Sequence, residues 1–220
     1  MNKIDYLSNN WLALKTNNDA LKRRLHLISG RVIDMGCGDC PYKEDILRVA
    51  EEYIGVDWRN SLHRCSSVDV YADINEKLPF PDAYANTVVV FQVLEHLRKP
   101  LGFLKECVRL LAPGGMIIMT VPFMWGVHEE PYDYYRYTKY GLRYLLNEAG
   151  FVDIKVEENS YFWSTWILRF NYHTARYAKG IIKAFFTPVW FIDQVMALVF
   201  DRIDKNASDA ASYTVLGIKP

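Results

Sequence analysis

The sequence has no surplus of charge: 26 Lys and Arg stand against 26 Asp and Glu over 220 residues. That balance gives no support to a general nucleic-acid binder, so a partner has to be sought in local sites. An apolar opening is lacking too. Met1 to Asn10 has no continuous hydrophobic core of the signal-peptide kind, and the four cysteines then point to a reducing, cytoplasmic setting. An uninterrupted membrane span is also missing, because the apolar run Ala184 to Phe200 is broken by Pro188, Asp193 and Gln194. There is no internal repeat and no low-complexity tract.

What is present fits one α/β domain with a full core and an appended element. Ile4, Leu7, Trp11 and Leu14, then Leu21, Leu25 and Ile28, recur at helical spacing around the polar run Thr16 to Asp19. Two short N-terminal helices are expected. After Gly30 strand-sized apolar runs alternate with helical ones: 31–35, 53–56, 68–71, 86–91 and 116–121. Alternation of this kind implies right-handed crossovers and a parallel, doubly wound sheet. Pro100 opens a helix that Pro113-Gly114-Gly115 ends, and Thr138 caps another that Gly150 stops. Residues 151–157 and 213–218 read as the last strands. Between them lies an aromatic, largely helical stretch, with Arg169, His173, Arg176 and Lys183 near one stripe.

The turn Asp34-Met35-Gly36-Cys37-Gly38-Asp39-Cys40-Pro41 follows the first strand. A strand running into such a glycine turn and a helix presents backbone N–H groups to a ligand. Position 41, where a dinucleotide fingerprint needs its third glycine, is proline. Asp34 would repel a pyrophosphate and favour a ligand carrying positive charge. Cys37 and Cys40 have no second ligand pair, since Cys65 reads as a loop residue and Cys107 as helical, so a metal or disulfide reading of the pair is set aside.

With Asp57 nineteen residues beyond Gly38, Asp73 before Leu78-Pro79-Phe80-Pro81, Gln92-Val93-Leu94-Glu95-His96 after the fourth strand and Leu111 to Gly115 before the fifth, the chain resembles the class I S-adenosylmethionine (SAM)-dependent methyltransferases. In particular it resembles type 11-like members found among sugar and surface-polysaccharide genes. The resemblance implies a Rossmann-like, mostly parallel seven-stranded sheet whose last strand is antiparallel. Residues 31–158 and 211–220 would form the SAM domain, residues 1–30 an N-terminal helical segment, and residues 159–210 a helical insertion. It also implies cofactor contacts from Asp34, Gly36, Cys37 and Gly38 at the turn. Asp57 would take the ribose, Asp73 and Ile74 the adenine, and Gln92 and Val93 would line the site. Trp58 either stacks on adenine or shields the sheet edge.

Methyl transfer from a sulfonium asks the protein mainly for positioning, and for a base when the acceptor is a hydroxyl. His96 and His128 fall beyond the fourth and fifth strands, with Asp133 in the same loop as His128, and these are the candidate catalytic residues. His128 is the better placed by sequence; the alternative for its loop is a clamp of Arg136 with carboxylates. Gln92 to His96 is similar to a Glu-x-x-Glu-His pattern that holds magnesium in some ubiquinone-pathway and small-RNA methyltransferases. The first acid is replaced by Gln92, a poor ligand for a hard cation, so no metal is expected. The expected activity is O-methylation of a saccharide or glycolipid-like acceptor. The rivals are a quinone-type or other small-molecule methyltransferase, a NAD-dependent enzyme, which Asp34 and Pro41 disfavour, and a non-catalytic SAM-binding or membrane-adaptor protein. Residues 161–200 would cap the site, pair two copies, or touch the inner face of a membrane.

Overall fold

The protein is described from a computed structural model, over residues 1, 3–59 and 67–220. Cys65 lies outside the described residues. The sheet strands are β1 (Arg31–Met35), β2 (Glu52–Asp57), β3 (Val70–Tyr71), β4 (Ala85–Phe91), β5 (Leu111–Pro122), β6 (Val152–Glu158) and β7 (Ser212–Ile218). They form one seven-stranded sheet in the order β3-β2-β1-β4-β5-β7-β6, with β7 antiparallel to both neighbours.

The centre is buried on both faces, which is why its strands are near-continuous Val, Ile and Met rather than alternating. Register brings Ile33 beside Ile54 and Val88, and Val88 beside Ile117. On one face Ile33, Val88 and Ile117 pack with α3 (Pro100–Leu110) and α4 (Lys139–Ala149) through Phe103, Leu104, Leu142 and Leu146. The opposite face, with Val32, Val89 and Ile118, is covered by Leu21 of α1 (Trp11–Lys22), Ile28 and Ile46 of α2 (Lys43–Ile46). Thr138 caps α4 by accepting the Gly141 N–H at 3.1 Å, and Gly150 ends it at a left-handed φ of 103°.

Two helix expectations are corrected. The N-terminal region holds one helix of 12 residues, not two, followed by a single 3-10 turn at Leu25–Leu27. The polar run is absorbed because Asn18 is buried and Lys15 pairs with Asp19 one turn away. In the insertion, α6 (Ile181–Ile203) runs unbroken through Pro188, packed antiparallel in sequence order against α5 (Phe162–Ala175). By length and composition α6 is sufficient to cross a membrane, although one face is buried at Trp190, Gln194, Ala197 and Asp201. Spacings of four, three and four residues place those side chains on one stripe. That stripe meets α1 and α5 around Trp11, Leu12 and Leu168.

Candidate active site

The carboxyl ends of β1, β2, β4 and β5 open into one cleft of about 650 Å³. At the turn after β1, Gly36 and Gly38 have φ of 70° and 53°, a conformation that other residues adopt only with strain. A Cβ on Gly36 would stand 2.5 Å from Val93, so the turn is also too close-packed for a side chain there, whereas beside Gly38 there is open space. Asp57 at the end of β2 accepts the Gly38 N–H at 2.8 Å with one oxygen and the Trp58 N–H at 2.7 Å with the other. Asp73 accepts from the Asn75 backbone and side chain at 2.9 and 3.0 Å; against its partial desolvation, these bonds together with the charges of Arg98 and Lys99 lower its pKa. Gln92 sits at a left-handed φ of 57°, its side chain donating to Thr120 at 3.1 Å.

Nine of the ten residues implied as cofactor contacts line this cleft: Gly36, Cys37, Gly38, Asp57, Trp58, Asp73, Ile74, Gln92 and Val93. Asp34 does not. It is buried beneath the turn, where the Tyr53 hydroxyl donates to it at 2.6 Å. Burial raises its pKa to about 7, against that hydrogen bond. The helix after the turn is also shorter than expected. Cys40 takes a left-handed φ of 52°, Pro41 follows, and α2 spans four residues; the N–H groups of Gly36, Cys37, Gly38 and Cys40 are donated within the protein, to Val56, Val56, Asp57 and Cys37, rather than left facing the cleft. The thiols of Cys37 and Cys40 are free and packed against Gly55, where a Cβ would meet them at 2.9 and 3.3 Å. They fill space under the turn.

The same cleft is lined by His96, Arg98, Glu129, Tyr132 and Tyr134, the Tyr132 ring standing edge to face with Trp58 at 5.4 Å. The loop between β5 and α4 is held down by Arg136, which donates to both oxygens of Asp133 at 2.6 and 2.7 Å and to the Gly126 carbonyl at 2.7 Å. Asp133 also accepts the His128 N–H at 2.8 Å. Although burial opposes ionisation, Arg136 and the other donors hold Asp133 at a pKa of about 2. Asp133 is thus committed to the loop clamp and is not a free base. His128 stands behind His96, their rings edge to face at 5.0 Å, and only His96 is on the cleft wall. Beneath both is Glu95, fully buried, with neither carboxyl oxygen hydrogen-bonded among the described residues and a pKa pushed up to about 8 by burial.

Sequence reasoning missed Asn17, Glu129 and Tyr132 as cleft residues. Glu129 and Tyr132 lay in a loop already suspected, but Asn17 gave no signal, because its place depends on how α1 crosses the sheet.

Residues 33–119 match the methyltransferase domain family. A probable SAM-dependent methyltransferase of Mycolicibacterium smegmatis is 36% identical over 107 residues, covering 46% of this chain and 42% of that one. A ubiquinone biosynthesis O-methyltransferase of Xanthomonas oryzae is 27% identical over 112 residues, covering 46% of this chain and 47% of that one. The chain therefore spans about half the length of the curated relatives it matches. In structure it is similar to a SAM-dependent methyltransferase from Archaeoglobus fulgidus, with a TM-score of 0.62 at 17% identity over 94% of both chains. Residues 33–119 are thus similar to a methyltransferase domain, and the fold is that of solved SAM-dependent methyltransferases.

Proposed function

We propose that the protein transfers a methyl group from SAM to an oxygen of a saccharide or glycolipid-like acceptor. The observation that carries this reading is one cleft lined by the Gly36–Gly38 turn, Asp57 and Asp73 together with His96 and two tyrosines. The donor set fits the cofactor. Acids at the ends of β2 and after β3 suit ribose hydroxyls and an adenine amino group, and Gly38 leaves room for close approach of a ligand. Bound SAM would supply an electrophilic methyl group.

The protein's part is positional. Tyr132 and Tyr134 line the same cleft, and aromatic side chains there suit a sugar ring. His96 donates its Nδ1–H to the Tyr132 carbonyl at 2.8 Å, leaving Nε2 to receive the acceptor's proton. Calorimetry with S-adenosylhomocysteine (SAH) tests the class: folded protein that binds neither it nor SAM overturns the reading. His96→Ala should lower kcat at least tenfold with the SAH affinity unchanged. The ubiquinone-pathway relative favours a second reading, a quinone-type acceptor, and turnover of a soluble catechol but no glycan would select it.

The insertion supports a seat on an anionic membrane surface. Ile181, Phe185, Ile192, Val195, Val199 and Ile203 form an exposed apolar row along α6, flanked by exposed Arg176, Lys179 and Lys183. Sedimentation with phosphatidylglycerol vesicles should be lost in Phe185→Glu/Ile192→Glu. A concentration-dependent dimer dissolved by the same changes would instead make the row a contact between copies.

A further inference from the structure

The insertion and the loop that carries His128 spring from the same end of the sheet. Ser212 of β7 pairs with Pro122 at the carboxyl end of β5, and Glu158, the last residue of β6, pairs with Tyr213. Residues 159–210 therefore leave and rejoin the sheet where the cleft opens. The chain after β5 is fastened to them at once. Phe123 and Met124 donate N–H groups to the carbonyls of Ala211 and Ala210 at 2.8 and 3.2 Å, and the Trp125 ring meets Tyr172 of α5 edge to face at 5.0 Å. Trp125 also packs on the cluster formed by Trp11, Leu12, Leu168 and Ala197.

One side chain carries this attachment on toward the cleft. Arg136 Nε donates to the Trp125 carbonyl at 3.2 Å, the same guanidinium holds Gly126 and Asp133, and Asp133 holds the His128 N–H. Tyr132 of the same loop lines the cleft, and its carbonyl accepts from His96 at 2.8 Å. A shift of Trp125 against α5 thus moves a backbone acceptor of the arginine on which the loop depends.

The outer side of the α5–α6 hairpin has a chemistry of its own. α6 is buried along Trp190, Gln194, Ala197 and Asp201, while Ile181 and Ile203 at its ends are 87% and 80% exposed. Between residues 162 and 203 the exposed Lys, Arg, Asp and Glu side chains are Arg169, Arg176, Lys179, Lys183 and Arg202, all cations. Both acids of that stretch are used inside the layer: Asp193 accepts from Asn171 at 3.1 Å, and Asp201 caps α5. In a chain whose total charges balance, an apolar row with cations alone beside it matches an anionic lipid surface. Two copies meeting there would bring like charges together.

We infer that an anionic bilayer sets the β5–α4 loop: seating the hairpin on lipid fixes Tyr172, Tyr172 fixes Trp125, and the cleft-lining loop is held in one arrangement. This rests on the membrane seat proposed above and adds what that seat does. The physical basis is shared ordering. Lipid that immobilises the hairpin lowers the entropy cost of ordering what packs against it, and by reciprocity an ordered loop strengthens lipid binding. The arrangement favours an acceptor anchored in the same bilayer, because the loop is set where such an acceptor is at hand.

The test is amide exchange of the full chain with phosphatidylglycerol or phosphatidylcholine vesicles, with sedimentation as the measure of vesicle binding. Phosphatidylglycerol should pellet the protein and slow exchange at least threefold over residues 124–131; phosphatidylcholine should do neither. Tyr172→Ala should still pellet but lose at least half of the slowing. Tyr172→Phe, which keeps the ring, should behave as the parent, and Tyr144→Ala, exposed on α4, should change nothing. No pelleting removes the membrane seat and this inference together. Pelleting without slowing, slowing undiminished in Tyr172→Ala, or pelleting lost in that variant overturns the coupling. Slowing that follows protein concentration without vesicles assigns the row to a second copy and overturns it as well. SAH affinity on the same samples decides the methyl-transfer reading separately: folded protein that binds neither SAH nor SAM removes that reading and leaves the coupling to the vesicle results.

Discussion

Asp57 spends one carboxylate oxygen on the N–H of Gly38 and the other on that of Trp58, so it shapes the turn as well as offering lone pairs to a ligand. Asp57→Ala should leave two N–H groups without partners, lower stability by roughly 1–3 kcal/mol, and weaken SAH at least tenfold. Thermal melts and calorimetry read the two effects separately. Asp34 makes a different prediction. Its pKa, near 4 in an unfolded chain, is raised to about 7 by burial, with the Tyr53 hydroxyl working against the shift and Asp57 adding to it. A carboxyl raised in this way binds more protons folded than unfolded between those values, so its ionisation subtracts stability as pH rises from about 4 to about 7. Asp34→Asn keeps an oxygen for Tyr53 and removes the charge. Its melting temperature relative to the parent should therefore climb across that window, by an amount worth up to about 4 kcal/mol, and stay level above it. A flat difference from pH 4 to 8 would show that Asp34 is not the buried acid described. At this scale the sequence disclosed Asp57 because strand, turn and acid are close in the chain. It hid the Tyr53 partner of Asp34 and the meeting of Glu95 with His128, which depend on two loops being folded against each other.

Among elements, the strands were legible because each is a short apolar run bounded by turn residues, and the parallel order followed from their alternation with helices. Helix continuity was not legible where a tertiary partner overrides local composition. α1 continues through a polar run with Asn18 turned inward, and α6 continues through Pro188 and Gln194. Gln194 shows why. Asn10 gives α1 no side-chain cap, and Gln194 supplies one from α6, accepting the Leu12 N–H at 2.9 Å while donating to the carbonyls of Ser8 at 3.2 Å and Trp190 at 2.6 Å. One turn beyond the next buried position, Asp201 does the same for α5, accepting the N–H groups of Tyr161, Trp163 and Ser164 at 3.0 to 3.3 Å. Gln194, which reads as an interruption of an apolar helix, and Asp201 beyond that run cap two other helices. Gln194→Leu preserves volume but orphans the Leu12 N–H, and should lower stability by about 1–2 kcal/mol. Asp201→Ala should cost a similar amount. Urea unfolding followed by tryptophan fluorescence measures both, and wild-type stability in the two variants would remove α6 as the organiser of this layer.

Across the whole molecule these caps connect the insertion to the cofactor cleft. Asn17 on α1 lines the cleft that the Gly36–Gly38 turn also lines. Six residues earlier the same helix is fastened to the insertion by Trp11 and Leu12, packed with Leu168 of α5 and Ala197 of α6. α1 is therefore a rigid bar with one end on the cofactor site and the other on the α5–α6 layer. A ligand that touches Asn17 gains from holding α1 in place, and by linkage anything that loosens the bar weakens that ligand. Two outcomes are expected. Saturating SAH should slow amide exchange over residues 11–22, which local unfolding of a terminal helix otherwise permits. Leu12→Ala, a truncation far from the turn, should weaken SAH severalfold while Val152→Ala, on the exposed edge of β6, should not. If exchange in α1 is the same with and without SAH, the helix does not report on the cleft and the two ends of the molecule act independently. If it slows, then whatever engages the exposed row of α6 also bears on cofactor affinity, and the insertion belongs to the working part of the protein.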